Sequence, residues 1–396
     1  MSGGAAAADT GKRKRLMPPW FDGGGPDGDV AISTRIRLAR NLAGHRFPSH
    51  ASIAEKEEIF DKAAASLRGP SRRKPVYEFE VINVGRIGKL EQHFLVEERV
   101  ASISLIKGEG PRGVARDGGG KLSVMINEED HLRIQGMDSG FRPDEVWEAV
   151  SKADDSIGGV LKYAYSPRFG FLTACPTNSG TGLRVSCLAH LPGLVLTKTV
   201  DQVLQGASQM GVSTRGFLGE HSDILGNIFQ LSNRAAMGLS ETEFIESASG
   251  AIREIIGHER AAREKLVKEA KPEVGDKISR ALGILRNAQM LGFAELLNLT
   301  SVLRLGIGCG LCDKYSVDDL NKIVMLGMPA HLQIYISGLE GAPSDLDVVR
   351  ADLARSFFED KRGKAGRSKA PPEKQPEKTQ EKPAKRARKK KTEPEA

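Results

Sequence analysis

Five arginines lie beside residues typical of strands and turns rather than on helices that would face solvent. They are Arg35 and Arg37 in STRIR, Arg133 in NEEDHLR, Arg184 in GTGLR and Arg215 in STRGFLGE. Because alternate residues of a strand share a face, Arg35 and Arg37 project to the same side. One such arginine is most often a surface charge, but several in one cleft suit a polyphosphate, whose oxygens accept paired hydrogen bonds from each guanidinium. The set predicts a polyphosphate site without a P-loop lysine.

Carboxylates close to these arginines could act on a cationic nucleophile. Glu128, Glu129 and Asp130 form the acidic cluster of NEEDH, and Glu220 ends RGFLGE. Such a cluster alone is usually a solvated loop. Beside a phosphate clamp, carboxylates can orient a cation and accept its proton during phosphoryl transfer. A guanidinium fits two flanking carboxylates, but it is normally protonated and a poor nucleophile, so the enzyme would have to accept that proton.

The segment CPTNSGTGLR, residues 175–184, combines a cysteine, hydroxyl side chains and an arginine. The chain has four cysteines at uneven spacing, Cys175, Cys187, Cys309 and Cys312, which predicts reduced thiols rather than a disulfide framework. The C-x-x-C pair at 309 and 312 has no second pair or nearby histidine, so it is weak support for zinc or redox chemistry and predicts core thiols.

Hydrophobic periodicity predicts the elements that must position these residues. Helical spacing is found at residues 52–67, 89–102, 142–159, 199–211, 240–270, 276–311 and 331–358. Strand-like patterns are found at residues 74–85, 122–137, 169–178 and 183–194. These elements predict an α+β fold with an antiparallel sheet that carries polar residues on one face.

The chain organisation predicted from these elements has four parts. They are a disordered N-terminal tail, residues 1–17; a small, mostly helical N-terminal unit, 18–95; a larger catalytic domain with an antiparallel sheet flanked by helices and a helical C-terminal segment, 96–360; and a disordered basic tail, 361–396. The tails carry almost no apolar side chains, so burial cannot offset their ordering entropy.

The net charge of +7 comes from the tails, since residues 361–396 contribute +9 and residues 1–15 contribute +3, which leaves the body at about −5. The basic tail could bind polyanions non-specifically or simply be solvated. No apolar run is long enough to span a bilayer and the N-terminus lacks a secretory signal pattern, so we expect no membrane partner and a cytoplasmic location.

Four motifs in this order, STRIRLARN, NEEDHLRI, CPTNSGTGLR and RGFLGEHSD, closely resemble the phosphagen kinase superfamily, whose members phosphorylate guanidino groups with ATP. The resemblance covers roughly residues 29–235. It implies Glu129 as the main catalytic carboxylate, Glu220 as the second, and Cys175 as a reactive thiolate beside the guanidinium. ATP is implied with Mg²⁺, which phosphate oxygens and water would largely hold, so no metal ligands are assigned in the chain.

Carried over position by position, the resemblance also implies a set of nucleotide contacts. They are Ser33, Thr34, Arg35, Ile36, Arg37, Arg99, Arg133, Arg184, Val185, Ser186, Cys187, Leu188, Arg215, Gly216, Phe217, Leu218, Gly219 and Glu220. Arg99, in LVEERV, stands where the family has a histidine on the adenine side. A cation there could contact a phosphate or stack on the base.

Within the superfamily, the chain is most similar to the bacterial protein arginine kinases, which phosphorylate arginine side chains on proteins and mark them for degradation by a Clp protease. The segments INEEDHLRIQ and GEHSDILGNIFQLSN, the short first unit and the extra helical C-terminal segment all resemble that branch. A short first unit would leave the guanidine pocket open to an arginine carried on a protein. The implied partners are proteins with accessible arginines, an activator protein, a Clp unfoldase or protease, and a second copy of the chain.

The protein arginine kinases carry an Arg-Asp-x-x-Arg-Ala motif near the C-terminus that binds phosphoarginine at an allosteric site. The matching stretch here has Leu346 in place of the first arginine, followed by Asp347, Arg350 and Ala351 as the implied site residues. Losing one charge-assisted donor predicts weak or absent activation by phosphoarginine. Packing of Leu346 in an interface is the alternative.

Two other functions stay open at this point. One is a phosphagen kinase acting on a free guanidine such as arginine, and the other is a non-catalytic adaptor that binds phosphoarginine or Clp proteins. The intact set of five arginines and two glutamates argues against the adaptor.

Overall fold

The structure is a computed structural model that describes residues 17–68, 77–216, 224–337 and 345–365, with side chains to residue 359. The predicted tails lie outside the described residues except for Met17 and the backbone of residues 361–365. The predicted contacts Phe217, Leu218, Gly219 and Glu220 also lie outside them.

The described strands form one eight-stranded antiparallel sheet and a separate two-stranded hairpin. The sheet has the order β2-β3-β4-β5-β1-β8-β10-β9, and β6 pairs with β7. The strands are β1 Ala31–Arg40, β2 Phe79–Asn83, β3 Gly113–Asp117, β4 Leu122–Ile126, β5 Leu132–Ser139, β6 Tyr165–Ser166, β7 Gly170–Phe171, β8 Leu183–His190, β9 Val212–Gly216 and β10 Ile228–Asn233.

Helices make up most of the rest of the described chain. The α-helices are α1 Ile53–Leu67, α2 Lys89–Glu97, α3 Ile103–Lys107, α4 Pro143–Gly158, α5 Pro192–Leu196, α6 Val200–Gln209, α7 Glu241–Glu269, α8 Lys271–Asn287, α9 Phe293–Gly308, α10 Val317–Gly327, α11 Pro329–Ile336 and α12 Leu346–Ala365. Short 3-10 helices are found at Pro19–Phe21, Val84–Arg86 and Pro176–Asn178. None of the helices in the described ranges is both long and apolar enough to cross a bilayer.

Local sequence sets where several helices begin. Helix α1 starts at Ser52, whose hydroxyl accepts a hydrogen bond from Glu55 N while the Glu55 carboxylate accepts one from Ser52 N. Helix α7 begins with the same reciprocal arrangement between Ser240 and Glu243. This capping box satisfies backbone donors that have no partner within the helix.

One face of the sheet is apolar and fully covered. Ile36, Val124 and Ile134 belong to a buried cluster that includes residues of α1, α4 and α7. The helices that the sequence periodicity predicts over residues 52–67, 142–159 and 240–270 therefore supply the layer that covers this face.

Among the residues that the structure describes, packed clusters cover the opposite face only at its flanks. Val114 and Met125 pack with residues of α2 and α3 at one side. Met137 and Leu188 pack with Trp20 and with residues of α9 and α10 at the other. Between the two clusters the strands present polar side chains, which is the arrangement expected for a binding face.

The α+β class with helices around an antiparallel sheet is confirmed. The predicted first unit, residues 18–95, supplies β1, which lies in the middle of the sheet, and β2, which lies at its edge. The sheet therefore does not divide at residue 95, because long-range strand pairing joins segments that local periodicity treats separately. Residues 169–178 form the short strand β7, a connecting segment and the 3-10 helix Pro176–Asn178, because β7 pairs with β6 and, through a single bridge, with Gly180 rather than with the large sheet.

The buried carboxyl group of Glu98, which follows α2, should make the protein less stable as the pH rises. Its carboxyl group is buried with Arg116 Nη1 at 3.5 Å from Oε2, and burial raises the pKa of Glu98 to about 7, against the opposing charge of Arg116. A carboxyl whose pKa is raised by folding stabilises the fold when protonated, and that contribution is lost as the pH rises through about 7.

We therefore expect Glu98→Gln to stabilise the protein by about 3 kcal/mol at pH 8, and much less at pH 5. Urea unfolding at the two pH values measures this difference. Glu80→Gln, which removes an exposed carboxylate from the same arginine, serves as the control and should change stability by less than about 1 kcal/mol. Equal effects of Glu98→Gln at both pH values would contradict the prediction.

Candidate active site

The strand register places the five predicted arginines on one face of the sheet, the one covered only at its flanks. Residues directly opposite each other on neighbouring strands share a face. Arg37 of β1 lies opposite Arg184 of β8, and Ala39, two residues further along β1, lies opposite Arg133 of β5. Arg35 precedes Arg37 by two residues and therefore shares its face.

Arg215 of β9 joins this face through the strand between. Arg215 lies opposite Gln230 of β10, and Gln230 lies opposite Leu188 of β8. Leu188 is four residues from Arg184 on β8, so the two side chains share a face. We refer to the set Arg35, Arg37, Arg133, Arg184 and Arg215 as the arginine face.

The arginines at the centre of this face are crowded and poorly solvated. The pKa of Arg35 is lowered to about 9, mainly because the side chain is buried. The nearby positive charges of Arg99, Arg184 and Arg133 lower it further. Burial and the same kind of repulsion hold the pKa of Arg37 well below its ordinary value, and within the described residues Arg37 Nε has no hydrogen-bond partner. A polyanion bound here would relieve the repulsion and satisfy the donors.

The acidic cluster lies in the turn between β4 and β5, at one end of the arginine face. Arg133 Nη1 is 2.8 Å from a Glu128 oxygen and Arg133 Nη2 is 2.8 Å from a Glu129 oxygen. The Glu128 side chain is 4% exposed and also accepts a hydrogen bond from Ser102, whereas the Glu129 side chain is 43% exposed. Glu128 therefore holds Arg133 in place, while Glu129 can reach a ligand.

Burial raises the pKa of Glu129, with the charges of Asp130 and Glu128 acting in the same direction and Arg133 opposing them. A carboxylate with a raised pKa is a better proton acceptor than an ordinary glutamate. Glu129 thus combines access to the site with basicity.

Asp130 joins the acidic turn to the loop that contains Cys175. Its Oδ1 accepts hydrogen bonds from Ala174 N and from Asn41 Nδ2, both at 2.7 Å. Asp130 directly follows Glu129 in the sequence, and Ala174 directly precedes Cys175. Glu129 and Cys175 are the two predicted catalytic residues in these segments. This contact joins the two segments that contain Glu129 and Cys175 at the same end of the arginine face.

Hydroxyl side chains shape the loop around Cys175. The Cys175 Sγ and Thr177 Oγ1 lie 3.0 Å apart, and Thr173 Oγ1 donates a hydrogen bond to Cys175 O. Cys175 is partly exposed, whereas Cys187 is fully buried and burial raises the pKa of its thiol well above the ordinary value. Cys175 is therefore the accessible thiol of the two near the site.

Two family models match this chain. The ATP:guanido phosphotransferase C-terminal catalytic domain matches residues 58–262, and the protein-arginine kinase McsB C-terminal domain matches residues 271–371. The protein-arginine kinase of Brevibacillus brevis is 39% identical over 336 residues, which cover 85% of this chain and 94% of that protein. The chain belongs to the protein-arginine kinase family. The protein-arginine kinase of Geobacillus thermodenitrificans is 40% identical over 342 residues, covering 85% of this chain and 92% of its own.

Solved structures of guanidino kinases share the fold of this protein-arginine kinase. Lombricine kinase has 25% sequence identity and a TM-score of 0.53, covering 63% of this chain and 70% of its own. The duplicated taurocyamine kinase from Schistosoma mansoni, with bound transition-state analogue components, has 24% identity and a TM-score of 0.55, covering 62% of this chain and 35% of that chain. The predicted membership of the family and the predicted activity as an ATP-dependent arginine phosphotransferase are confirmed.

Several predicted nucleotide contacts of the kinase are oriented toward the helix-covered face of the sheet, opposite the arginine face. Ile36, Val185 and Cys187 are fully buried in the apolar clusters, and Gly216 lies at the end of β9 with the same orientation. Thr34 is also buried there, where its hydroxyl donates to Gly140 O and accepts from Arg142 N. A nucleotide on the arginine face cannot touch these side chains, because the sheet lies between them.

Other predicted contacts lie on the arginine face but are buried at its edge. Ser33 and Leu188 lie opposite each other, and Leu188 packs in the cluster of Trp20. Ser186 donates a hydrogen bond from its hydroxyl to Arg35 O at 3.2 Å. These residues support the arginines rather than present donors to a ligand.

Arg99 is brought next to the arginine face by a tryptophan that sequence patterns do not single out. The Arg99 guanidinium carbon lies 5.4 Å from the Trp20 ring centroid, Trp20 Nε1 donates to Glu98 O, and burial lowers the pKa of Arg99 to about 10. The backbone of Arg99 has a φ of 62°, a value that residues other than glycine rarely adopt. Asn41, which holds Asp130, ends the STRIRLARN motif but was not predicted as a site residue.

The predicted phosphoarginine residues near the C-terminus lie within the packed helical region of the kinase. Arg350 is 2% exposed, and it donates from Nε to Gly327 O and from Nη1 to Leu291 O and Asp347. Ala351 is fully buried in the cluster formed by α8, α9, α10 and α12. In this arrangement Arg350 links α12 to the end of α10 and to the segment before α9 through Nε and Nη1.

The described residues do not form a cluster of side chains that could bind a metal ion. No group of three or more His, Cys, Asp or Glu side chains there could hold a metal ion. The acidic residues nearest the arginine face, Glu128 and Asp130, are instead hydrogen-bonded to protein groups.

Proposed function

We propose that the arginine face binds the phosphates of ATP and that Glu129 and Cys175 hold the guanidino group of an arginine on a substrate protein. One contact carries this proposal. The hydrogen bond from Ala174 N to Asp130 supports it, because it joins the segments of Glu129 and Cys175 at the end of the row of arginines.

Phosphate binding would change the partners of Arg133. In the structure Glu129 is paired with Arg133, while Glu128 holds the same guanidinium through its other nitrogen. A γ-phosphate that takes over the Arg133 Nη2 donor would leave Arg133 anchored by Glu128. Glu129 would then be free to turn to the substrate guanidinium.

The transfer follows from this geometry. Glu129 accepts a proton from the guanidinium nitrogen as that nitrogen forms a bond to the γ-phosphorus, and the bond from phosphorus to the bridging oxygen breaks with its electron pair going to ADP. The arginines stabilise the charge on the transferred group, and Cys175 orients the substrate cation. Glu220, which lies outside the described residues, is proposed as the second carboxylate.

Mg²⁺ is proposed to enter bound to ATP. Mg²⁺ keeps several waters and binds phosphate oxygens, so it needs no dedicated cluster of protein ligands. When bound, it would supply charge neutralisation on the phosphates.

The wider role is also a proposal. We propose that phosphorylated proteins are passed to a Clp protease in the cytoplasm, with an activator protein and a second copy of the chain as further partners. The relatives are named for phosphorylating protein arginine, which supports protein substrates.

The test compares substrates directly. The purified protein is incubated with Mg-ATP and either an arginine-rich unfolded protein or free L-arginine, and acid-labile phosphate is followed. Phosphate on the unfolded protein is expected. Phosphate on free arginine alone would instead make the chain a free-guanidine kinase.

Cys175→Ala is expected to slow phosphorylation without abolishing it, because the thiol orients the cation but does not take the proton. Alkylation should inactivate the enzyme, and ATP with substrate should slow the modification at Cys175. Mass spectrometry of the alkylated protein identifies the modified thiol. Inactivation that follows Cys309 or Cys312 while Cys175 stays unmodified would remove Cys175 from the site.

Phosphoarginine is expected to activate the kinase weakly or not at all, because Leu346 offers no donor and the Arg350 guanidinium is engaged with backbone carbonyls. Leu346→Arg should strengthen any activation by about 10- to 150-fold in affinity, which corresponds to one charge-assisted hydrogen bond. Titration of phosphoarginine against kinase rate measures this. Tight, saturable activation of the unmodified protein would show that the leucine is no obstacle.

A further inference from the structure

Four large apolar side chains are exposed beside the Cys175 loop. Tyr165 is 60% exposed, Phe169 46%, Met237 50% and Leu239 46%. We call these four residues the aromatic-methionine patch. Isolated exposed apolar residues are common, but several grouped next to a site mark an interaction surface.

The backbone places the two halves of this patch in contact with the Cys175 loop. Tyr165 and Phe169 belong to the β6–β7 hairpin, whose Phe171 N donates to Gly180 O at 2.8 Å. Gly180 ends the loop that begins at Cys175, and Thr181 N donates to Ala236 O at 2.9 Å.

The glycines at these contacts let the three segments approach closely. A Cβ on Gly170 would lie 2.4 Å from Gly180 O, and a Cβ on Gly180 would lie 2.3 Å from Ala236 O and 2.9 Å from Met237 Cα. The backbones of the hairpin, the Cys175 loop and residues 236–237 are thus packed against one another, which brings the chain at Phe169 and Met237 close to this loop.

A substrate arginine at this site brings its own chain across that surface. An extended chain advances about 3.3 Å per residue, so the residues two or three positions from the arginine lie about 7 to 10 Å away from it. The patch lies on segments whose backbones are hydrogen-bonded to the end of the Cys175 loop. The residues that flank the substrate arginine are therefore the groups that can reach the patch.

We propose that the aromatic-methionine patch binds bulky apolar side chains that flank the target arginine. The preferred substrate is then an extended segment in which arginine is surrounded by residues such as leucine and phenylalanine. The inference rests on the proposed placement of the substrate guanidinium at Cys175.

Two peptides of equal length and charge test the proposal, one with Phe-Leu-Arg-Leu-Phe and one with Ser-Gly-Arg-Gly-Ser at its centre. Phosphoarginine formation gives kcat/KM for each. We expect the full chain to prefer the apolar peptide, and Phe169→Ser combined with Met237→Ser to lower kcat/KM for that peptide about tenfold while the polar peptide is unchanged.

Met290→Ser is the matched control, because Met290 is 60% exposed but lies between α8 and α9, outside the patch. It should keep the preference, and thermal unfolding should show that all variants are folded. Equal use of both peptides by the unmodified protein, or an equal loss on both peptides in the double variant, would overturn the proposal. A preference that survives while the double variant changes its oligomeric state would assign the patch to a second copy of the chain. Failure to phosphorylate either peptide or free arginine would instead contradict the proposed site itself.

Discussion

Glu129→Gln is expected to lower the rate of phosphoryl transfer to arginine by about 10²- to 10⁴-fold while ATP still binds. Glutamine keeps the shape of the side chain but can neither balance the substrate charge nor accept its proton. ATP affinity should persist because Glu128, which is buried against Arg133, continues to hold that arginine.

The pH dependence of the same reaction provides a second readout. Because burial raises the pKa of Glu129, the acid limb of kcat/KM should lie at higher pH than an ordinary glutamate would give. Activity should fall as the pH drops through this raised pKa, since only the ionised group accepts a proton. The limb should be absent from the residual activity of Glu129→Gln.

Steady-state rates and ATP binding, measured separately, check the prediction. Glu148→Gln, an exposed glutamate on α4 that pairs with Lys152, is the control and should leave both unchanged. Near-normal turnover of Glu129→Gln would remove Glu129 from the mechanism.

Arg40→Ala is expected to destabilise the fold by about 3 to 5 kcal/mol. Arg40 is buried at the end of β1, where Nε and Nη2 both bond the Asp154 carboxylate and Nη1 donates to Ala39 O and Thr181 O. Its guanidinium also lies 3.6 Å from the centroid of the Phe171 ring. Removal leaves Asp154 without its buried partner and unties the loop before Gly182.

Urea unfolding of Arg40→Ala beside Arg46→Ala measures this effect. Arg46 forms a similar two-point pair with Glu55, but its side chain is 62% exposed, so its loss should destabilise the fold far less than the loss of Arg40. Similar free energies of unfolding for the two variants would contradict the structural role of Arg40.

The local pattern of the sequence predicts much of this fold. The helices over residues 53–67, 143–158 and 241–269 follow from their 3.6-residue periodicity, and two of them begin at capping boxes visible in the sequence. The strands β9 and β10 were not predicted although glycines precede both, because they are short and their identity depends on the pairing of β10 with β8 and of β9 with β10.

The types of residue in the site were also determined by the sequence alone. The two-residue period of a strand places Arg35 and Arg37 on one face, and the arginines and carboxylates together indicate phosphoryl transfer to a cation. The same period puts Ile36 on the opposite face, but it cannot say which of the two faces the helices cover. The side chains of Ile36, Val185 and Cys187 point into the core because of the face that the helices cover.

Only the tertiary structure decided which distant groups meet. Asp130 joins the acidic turn to the Cys175 loop through a hydrogen bond between segments that no local pattern connects. The same holds for Arg350, whose place in a familiar motif predicts a ligand contact although its donors are bonded to the carbonyls of Gly327 and Leu291. Sequence determines which groups a side chain offers, whereas the packing of remote helices and strands determines whether those groups face a ligand or the protein itself.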